Sequence, residues 1–238
     1  MINRPAQRSV GYGQATAEEI DAGLRAYMLG VYNYMTIALA ITGLAAYGVS
    51  QSPAILSVIY GTPLQWVVML APLGMVFFLS ARINKIQAST AQMLFWAFAV
   101  VVGISISYIF LIYTGASIVR IFFITSAAFA GLSLVGYTTK KNLSAMGSFL
   151  IIGLFGLIIA SVVNIFLASP GLEFVISSIG VLIFAGLTAY DTQRIKLMYM
   201  ESDSSEVSQK KSIMGALSLY LNFLNMFLFL LQLMGNRE

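Results

Sequence analysis

The chain has no cysteine and no histidine. Without cysteine it has no disulfides and no thiolate chemistry. Without histidine it lacks the commonest general base, the commonest metal ligand and the ordinary near-neutral pH switch. Charge is scarce too. Asp, Glu, Lys and Arg make up 9% of the residues, against roughly 25% in a soluble domain. Any response to pH near neutrality therefore falls to a carboxylate.

What is plentiful is apolar. Hydrophobic residues are 59% of the chain, and the mean hydropathy is +0.87. A soluble domain of 238 residues cannot hide that much apolar surface, so lipid must cover the excess. The net charge of +4 does not indicate nucleic acid. The basic residues are dispersed at the ends of apolar runs and form no basic stripe or aromatic-basic motif. The methionines and phenylalanines read as lipid-facing or core filler, and no cofactor is expected.

Crossing a bilayer as a helix takes about 20 apolar residues. Seven segments reach or approach that length: 26–48, 63–81, 91–113, 117–137, 145–168, 172–191 and 213–235. They predict an all-α integral membrane protein, a seven-helix transmembrane bundle over 26–238, preceded by a polar tail over 1–25. A secretory signal would place a shorter apolar core nearer the start. The first apolar run is long enough to span and is expected to be retained. The stretches "SQSPAILSVIYGTP" and "TQRIKLMYMESDSSEVSQKKS" are predicted as loops. The start of the second, through about Met200, can extend the sixth helix.

Lys and Arg orient the bundle. Eleven fall on the side of the N-terminus and two, Arg120 and Arg237, on the other. That bias predicts a cytoplasmic N-terminus and an outer C-terminus. Pro72 with Gly74 is expected to bend the second span. Gly103 with Ser107, Ala127 with Gly131, and Gly153 with Gly156 are expected to let helices approach.

A few polar residues are out of place. Arg120 and Glu173 open the fourth and sixth spans near the outer face, either to pair or to reach separately into the headgroups. Asn164 stands late in the fifth span. Asn222 and Asn225, three apart in the seventh, share a helix face. Asp191 ends the sixth span, three residues before Arg194. One reading is an interfacial carboxylate paired with Arg194 or Lys196. The other is a working group. An acid at a helix C-terminus opposes the macrodipole, and an ionisable group in a membrane is a functional candidate by default.

The stretches "FAVVVGISISYIFLIYTGASI", "SLVGYTTKKNLSAMGSFLIIGLFGLIIASVVNIF", "AYDTQRIK" and "ALSLYLNFLNMFLFLLQLMG" together resemble the Bax inhibitor-1 family, also called the transmembrane Bax inhibitor motif family. The resemblance runs from about residue 20 to the end. It implies a seven-helix bundle with the seventh helix at its centre, in a bacterial inner membrane, and a pH-sensitive calcium leak. For some bacterial relatives it implies instead the binding and modulation of a membrane-anchored ATP-dependent protease. The family's latch has one Asp ending the sixth helix, a second in the seventh and an Arg near the end of the second. The first Asp maps onto Asp191, and the Arg onto Arg82 in "FLSARINK". The second belongs in "LYLDF", where this chain reads "LYLNF", so Asn222 takes its place. Gln232 likewise stands where many relatives carry Arg.

That departure has a physical consequence. Two adjacent carboxylates resist ionising together, so one keeps a proton. An amide donates a hydrogen bond to a carboxylate but does not compete for its proton. Asp191 is therefore expected to stay charged at neutral pH and to respond to pH less steeply than a two-Asp pair. A calcium ion takes six to eight oxygens. Asp191 and Asn222, with Asn225, Tyr190, Tyr220 and carbonyls, offer only a weak, transient site, and an ion path is expected beside the seventh span, closed by apolar residues. An enzyme is not expected, because no nucleophile has an adjacent base within the spans. The alternative to a leak is a regulator that binds another membrane protein. Its contact element would be the tail, with Glu18, Glu19 and Asp21 beside Tyr12 and Tyr27, unless the tail is disordered.

Overall fold

The computed structural model describes residues 17–237. Tyr12 and the side chains of Glu18 and Glu19, part of the expected contact element, lie outside the described residues, as does most of the tail. Among the described residues there are nine helices and no sheet: α1 (Ala17–Ser50), α2 (Pro53–Tyr60), α3 (Leu64–Arg82), α4 (Ala88–Ile106), α5 (Ile109–Ile112), α6 (Gly115–Thr138), α7 (Ser144–Leu167), α8 (Pro170–Leu197) and α9 (Ser205–Met234). Seven membrane-length segments result, with α4 and α5 together forming one of them.

Three expectations about the connections need correction. The first predicted loop contains α2, because Pro53 fits the first turn and the Ser52 hydroxyl accepts a hydrogen bond from the Ile55 amide. The third span is broken after Ile106. There the Tyr60 hydroxyl, delivered by α2, donates to the Ile104 carbonyl at 3.1 Å and lies 3.0 Å from the Ser107 Oγ. The long loop before the seventh span shrinks to 198–204: α8 runs on to Leu197, the extension that the sequence allows, and Ser204 caps an earlier start of α9 than expected.

The arrangement shows in how much of each helix the bundle buries, and the most apolar helix, α7, is among the least buried because lipid covers it. The most apolar window of α9 is 61% buried, against 6% for α3 and 11% for α7. Ile213, Ala216, Leu219 and Tyr220 of α9 are wholly buried. The seventh span is thus the centre. α1, α4, α6 and α8 pack around it, α3 lies outside against α4, and α7 lies outside against α8. On α7, Phe166 is 84% exposed, Ile165 75% and Phe149 73%. An apolar face of this kind is covered by lipid. The chain is a multi-span, all-α membrane protein.

Small residues set some of the separations. A side chain on Gly103 would strike the Thr42 carbonyl and Ala45, so α1 and α4 touch there. Gly153 faces Ile183, whereas nothing stands opposite Gly131 or Gly156. The tightest approach relevant to the site is at Gly136, which lies directly on the backbone of Ala189 and fixes α6 against α8 two residues before Asp191.

Candidate functional site

The buried positions of α8 recur every three or four residues: Phe184, Leu187 and Thr188, Asp191 and Thr192, Ile195. This is the stripe that faces the bundle. Asp191 lies on it, so the helix register turns its carboxylate inward and not toward the headgroups. On α9 the matching stripe contains Leu219, Asn222 and Met226. The two polar residues meet where the stripes cross. Asn222 Nδ2 donates to Asp191 Oδ2 at 2.8 Å. Both residues are buried, Asp191 8% exposed and Asn222 4%.

The other carboxylate oxygen is also engaged. Arg194 Nη2 stands 3.0 Å from Asp191 Oδ1. The same nitrogen donates to Ser218 Oγ of α9 at 3.3 Å, and the guanidinium lies over the Tyr190 ring, 5.7 Å from its centroid. Ser218 precedes Asn222 by one turn. Asp191 and Arg194 thus each reach α9, and they fasten the end of α8 to it at two successive turns. Thr188 and Thr192 take no part, since their hydroxyls bond back to the carbonyls of Phe184 and Thr188.

The sequence-derived set is brought together only in part. Arg82 is exposed at the end of α3, which packs on α4 and α2, and it makes no ion pair with Asp191. The guanidinium at the site comes from Arg194, one helical turn beyond the acid. Asn225 does not join Asn222, because its amide donates to the Leu221 carbonyl at 2.8 Å. Tyr220 points to α1, where its hydroxyl lies 2.7 Å from Thr42 Oγ1. Lys196 donates to the Tyr137 carbonyl at 2.8 Å and not to Asp191.

Glu173 and Arg120 belong to the opposite end of the bundle, and they do not pair with each other. Glu173 meets Arg237 at 3.3 Å. Arg120 donates to the Met234 carbonyl at 3.2 Å. Around them the residues after α9 cross to the start of α6. Asn236 accepts from the Thr114 amide at 3.1 Å, and its own amide donates to Ser117 Oγ at 3.0 Å. Gln232 accepts a hydrogen bond from Ser177 at 2.8 Å. Asn164 serves local structure, accepting from the Ser169 amide where the chain turns through Ala168 in the left-handed region.

Between the two polar ends the bundle is aromatic. Phe95 and Phe98 pack edge-on to Tyr220, and Phe122 and Phe129 do the same to Phe223. Sequence reasoning missed Gln193, whose amide receives the Leu143 N–H and donates to the Lys141 carbonyl, clamping the α6–α7 connection onto α8. It also missed the Lys211–Asp203 pair at 2.6 Å. The signal for Gln193 was present: a polar residue continuing α8 beside the buried stripe. For a cation, the site offers one carboxylate and one amide oxygen with a guanidinium alongside. Among the described residues no group of three or more Asp or Glu gathers to hold a metal.

The sequence compares closely with known proteins. The profile of the family described as "Inhibitor of apoptosis-promoting Bax1" matches residues 24–238. An uncharacterized protein of Rickettsia prowazekii is 49% identical over 218 residues, covering 92% of each chain. An uncharacterized protein of Caulobacter vibrioides is 46% identical over 248 aligned positions, covering 100% of this chain and 99% of its own. The inner membrane protein YbhL of Escherichia coli K12 is 42% identical over 220 residues, covering 91% of this chain and 94% of its own. A profile match across nearly all of the membrane-embedded chain, with relatives of the same length, makes this protein a member of the Bax inhibitor-1 family.

Proposed function

We propose that the protein is a gated cation leak of the bacterial inner membrane, with calcium as the cation and the Asp191–Asn222 contact as its fastening. The basic end of the bundle faces the cytoplasm in this reading, as the distribution of Lys and Arg favours. The observation behind it is the buried 2.8 Å hydrogen bond between the end of α8 and the central helix. A charged acid held inside the bundle by one amide and one partly exposed guanidinium is a contact that protonation weakens. Loss of its charge removes the ion pair with Arg194 and reduces the hydrogen bond from Asn222 to a neutral one, which is weaker. The aromatic packing around Tyr220 and Phe223 acts as the apolar plug of the closed state. Calcium passes the site transiently, since the oxygens there are too few for a stored ion.

The test is calcium flux into proteoliposomes between pH 5 and pH 8. The protein is expected to pass calcium above a protein-free control, and more so as pH falls. The Asn222→Asp variant is expected to show a steeper dependence, because two adjacent carboxylates share a proton. Flux equal to the control at every pH overturns the reading. A second reading has one specific observation in its favour: both oxygens of Asp191 are already engaged, by Asn222 and by Arg194. A scaffold so fastened suits a regulator of another membrane protein, such as a membrane-anchored ATP-dependent protease. Co-purification of that protease, with no calcium flux, selects it.

A further inference from the structure

α1 and α6 both pack on α9 but scarcely on each other. Two cavities lie along the seam between them. One, of about 280 Å³, is bounded by Leu39 and Thr42 on α1 and by Ile118 and Phe122 on α6, with Phe223 of α9 as its floor. The other, of about 630 Å³, runs from the middle of the bundle toward the basic end. Its size falls in the range of small-molecule pockets, roughly 300–1,000 Å³. Its body is apolar, with Met28 and Met35 on one wall and Phe129, Ala130 and Leu134 on the other. Its end is different: Arg25 and Tyr137 stand there.

Two further observations say what fits. First, the mouth is basic. Lys140 and Lys141 follow the end of α6 and are exposed, as is Arg25, and Lys196 lies over the Tyr137 ring, 4.7 Å from its centroid. Asp21, one turn before Arg25 on α1, is the acid nearest to it along the described chain. Second, Leu29 and Leu134 on the two walls are exposed apolar side chains, a surface that an acyl chain covers.

We propose that this seam holds one anionic phospholipid taken from the bilayer. Its acyl chain fills the apolar body between α1 and α6. Its phosphate meets Arg25 and the Tyr137 hydroxyl at the mouth. The lipid closes the seam over α9 and so joins the wall of the bundle.

Native mass spectrometry of the full chain tests this. Delipidated protein is titrated with phosphatidylglycerol and with phosphatidylcholine of the same chains. One phosphatidylglycerol is expected to bind, preferred by about fivefold or more, the ratio that about one basic residue gives at an anionic surface. Arg25→Gln is expected to remove the preference while chain binding persists. Ala130→Trp fills the groove from an exposed position and is expected to abolish binding of both lipids. Leu73→Trp, on the outer face of α3, is expected to change nothing. The unfolding temperature of each variant establishes that it folds. Soluble glycerophosphate is expected not to compete; competition would assign the site to a free phosphate and overturn the lipid. Equal binding of both lipids, binding that survives Ala130→Trp, or a dimer that closes the seam without lipid also overturns it.

Discussion

The two ends of the α8–α9 pair are both held by polar contacts, and they are built differently. At the basic end, Asp191 is buried, and its two oxygens meet an amide of α9 and a guanidinium of α8. At the other, Glu173 and Arg237 pair with side chains 45% and 61% exposed. Charge in the first place is desolvated and depends on its partners. In the second it is screened and worth little alone. The opposite end is held instead by backbone: residues after α9 bridge to Tyr113 and Thr114, and Arg120 grips the Met234 carbonyl. A contact meant to release on a change of charge belongs at the first end. A contact meant to persist belongs at the second.

Removing the buried acid should have the largest effect. Asp191→Ala strands the Asn222 amide and frees Arg194, with an expected loss of about 2–3 kcal/mol in unfolding free energy, measured by thermal unfolding in detergent. Asn222→Ala leaves the Arg194 pair in place and is expected to cost about 1–2 kcal/mol, since hydrogen bonds between membrane helices are modest. Asn222→Asp sharpens the contrast through pH. At pH 8 the two carboxylates repel and the variant should melt below wild type. As pH falls, a proton is taken up between them and the difference should shrink. A constant offset from pH 5 to pH 8 would contradict this. At the opposite end, Glu173→Gln is expected to change stability by less than about 0.5 kcal/mol. Arg82→Gln should alter neither stability nor the pH profile, because its side chain does not approach Asp191.

Much of the fold was legible because lipid imposes a simple rule on sequence. A run of about 20 apolar residues in a membrane has to be a helix, and so the seven spans were readable from length alone. What the rule does not reach was misread. α2 and the break after Ile106 depend on Tyr60 finding carbonyls 44 residues away, a contact that no local pattern encodes. Of the three latch residues that the resemblance implies, Asp191 and Asn222 meet and Arg82 stands apart, while the pair of Asp191 with Arg194 is one of the two that the local sequence offers. Asp191 and Asn222 stood out as polar groups on apolar stripes. The resemblance points to Arg82, whereas the (i, i+3) spacing of Asp191 and Arg194 puts a guanidinium on the same face as the acid. Asn225 shared that spacing with Asn222 and still turned away, because an amide in a membrane helix can satisfy itself on its own backbone. Spacing says which groups can meet, and packing decides which do.

The central claim is that Asp191 and Asn222 act as one unit that fastens α8 to α9. A double-mutant cycle of Asp191→Ala and Asn222→Ala in thermal unfolding tests it most directly. The account predicts that the double variant is little worse than Asp191→Ala alone, with a coupling of about 1 kcal/mol or more. Losses that simply add would mean that the two side chains stand next to each other without holding the helices together.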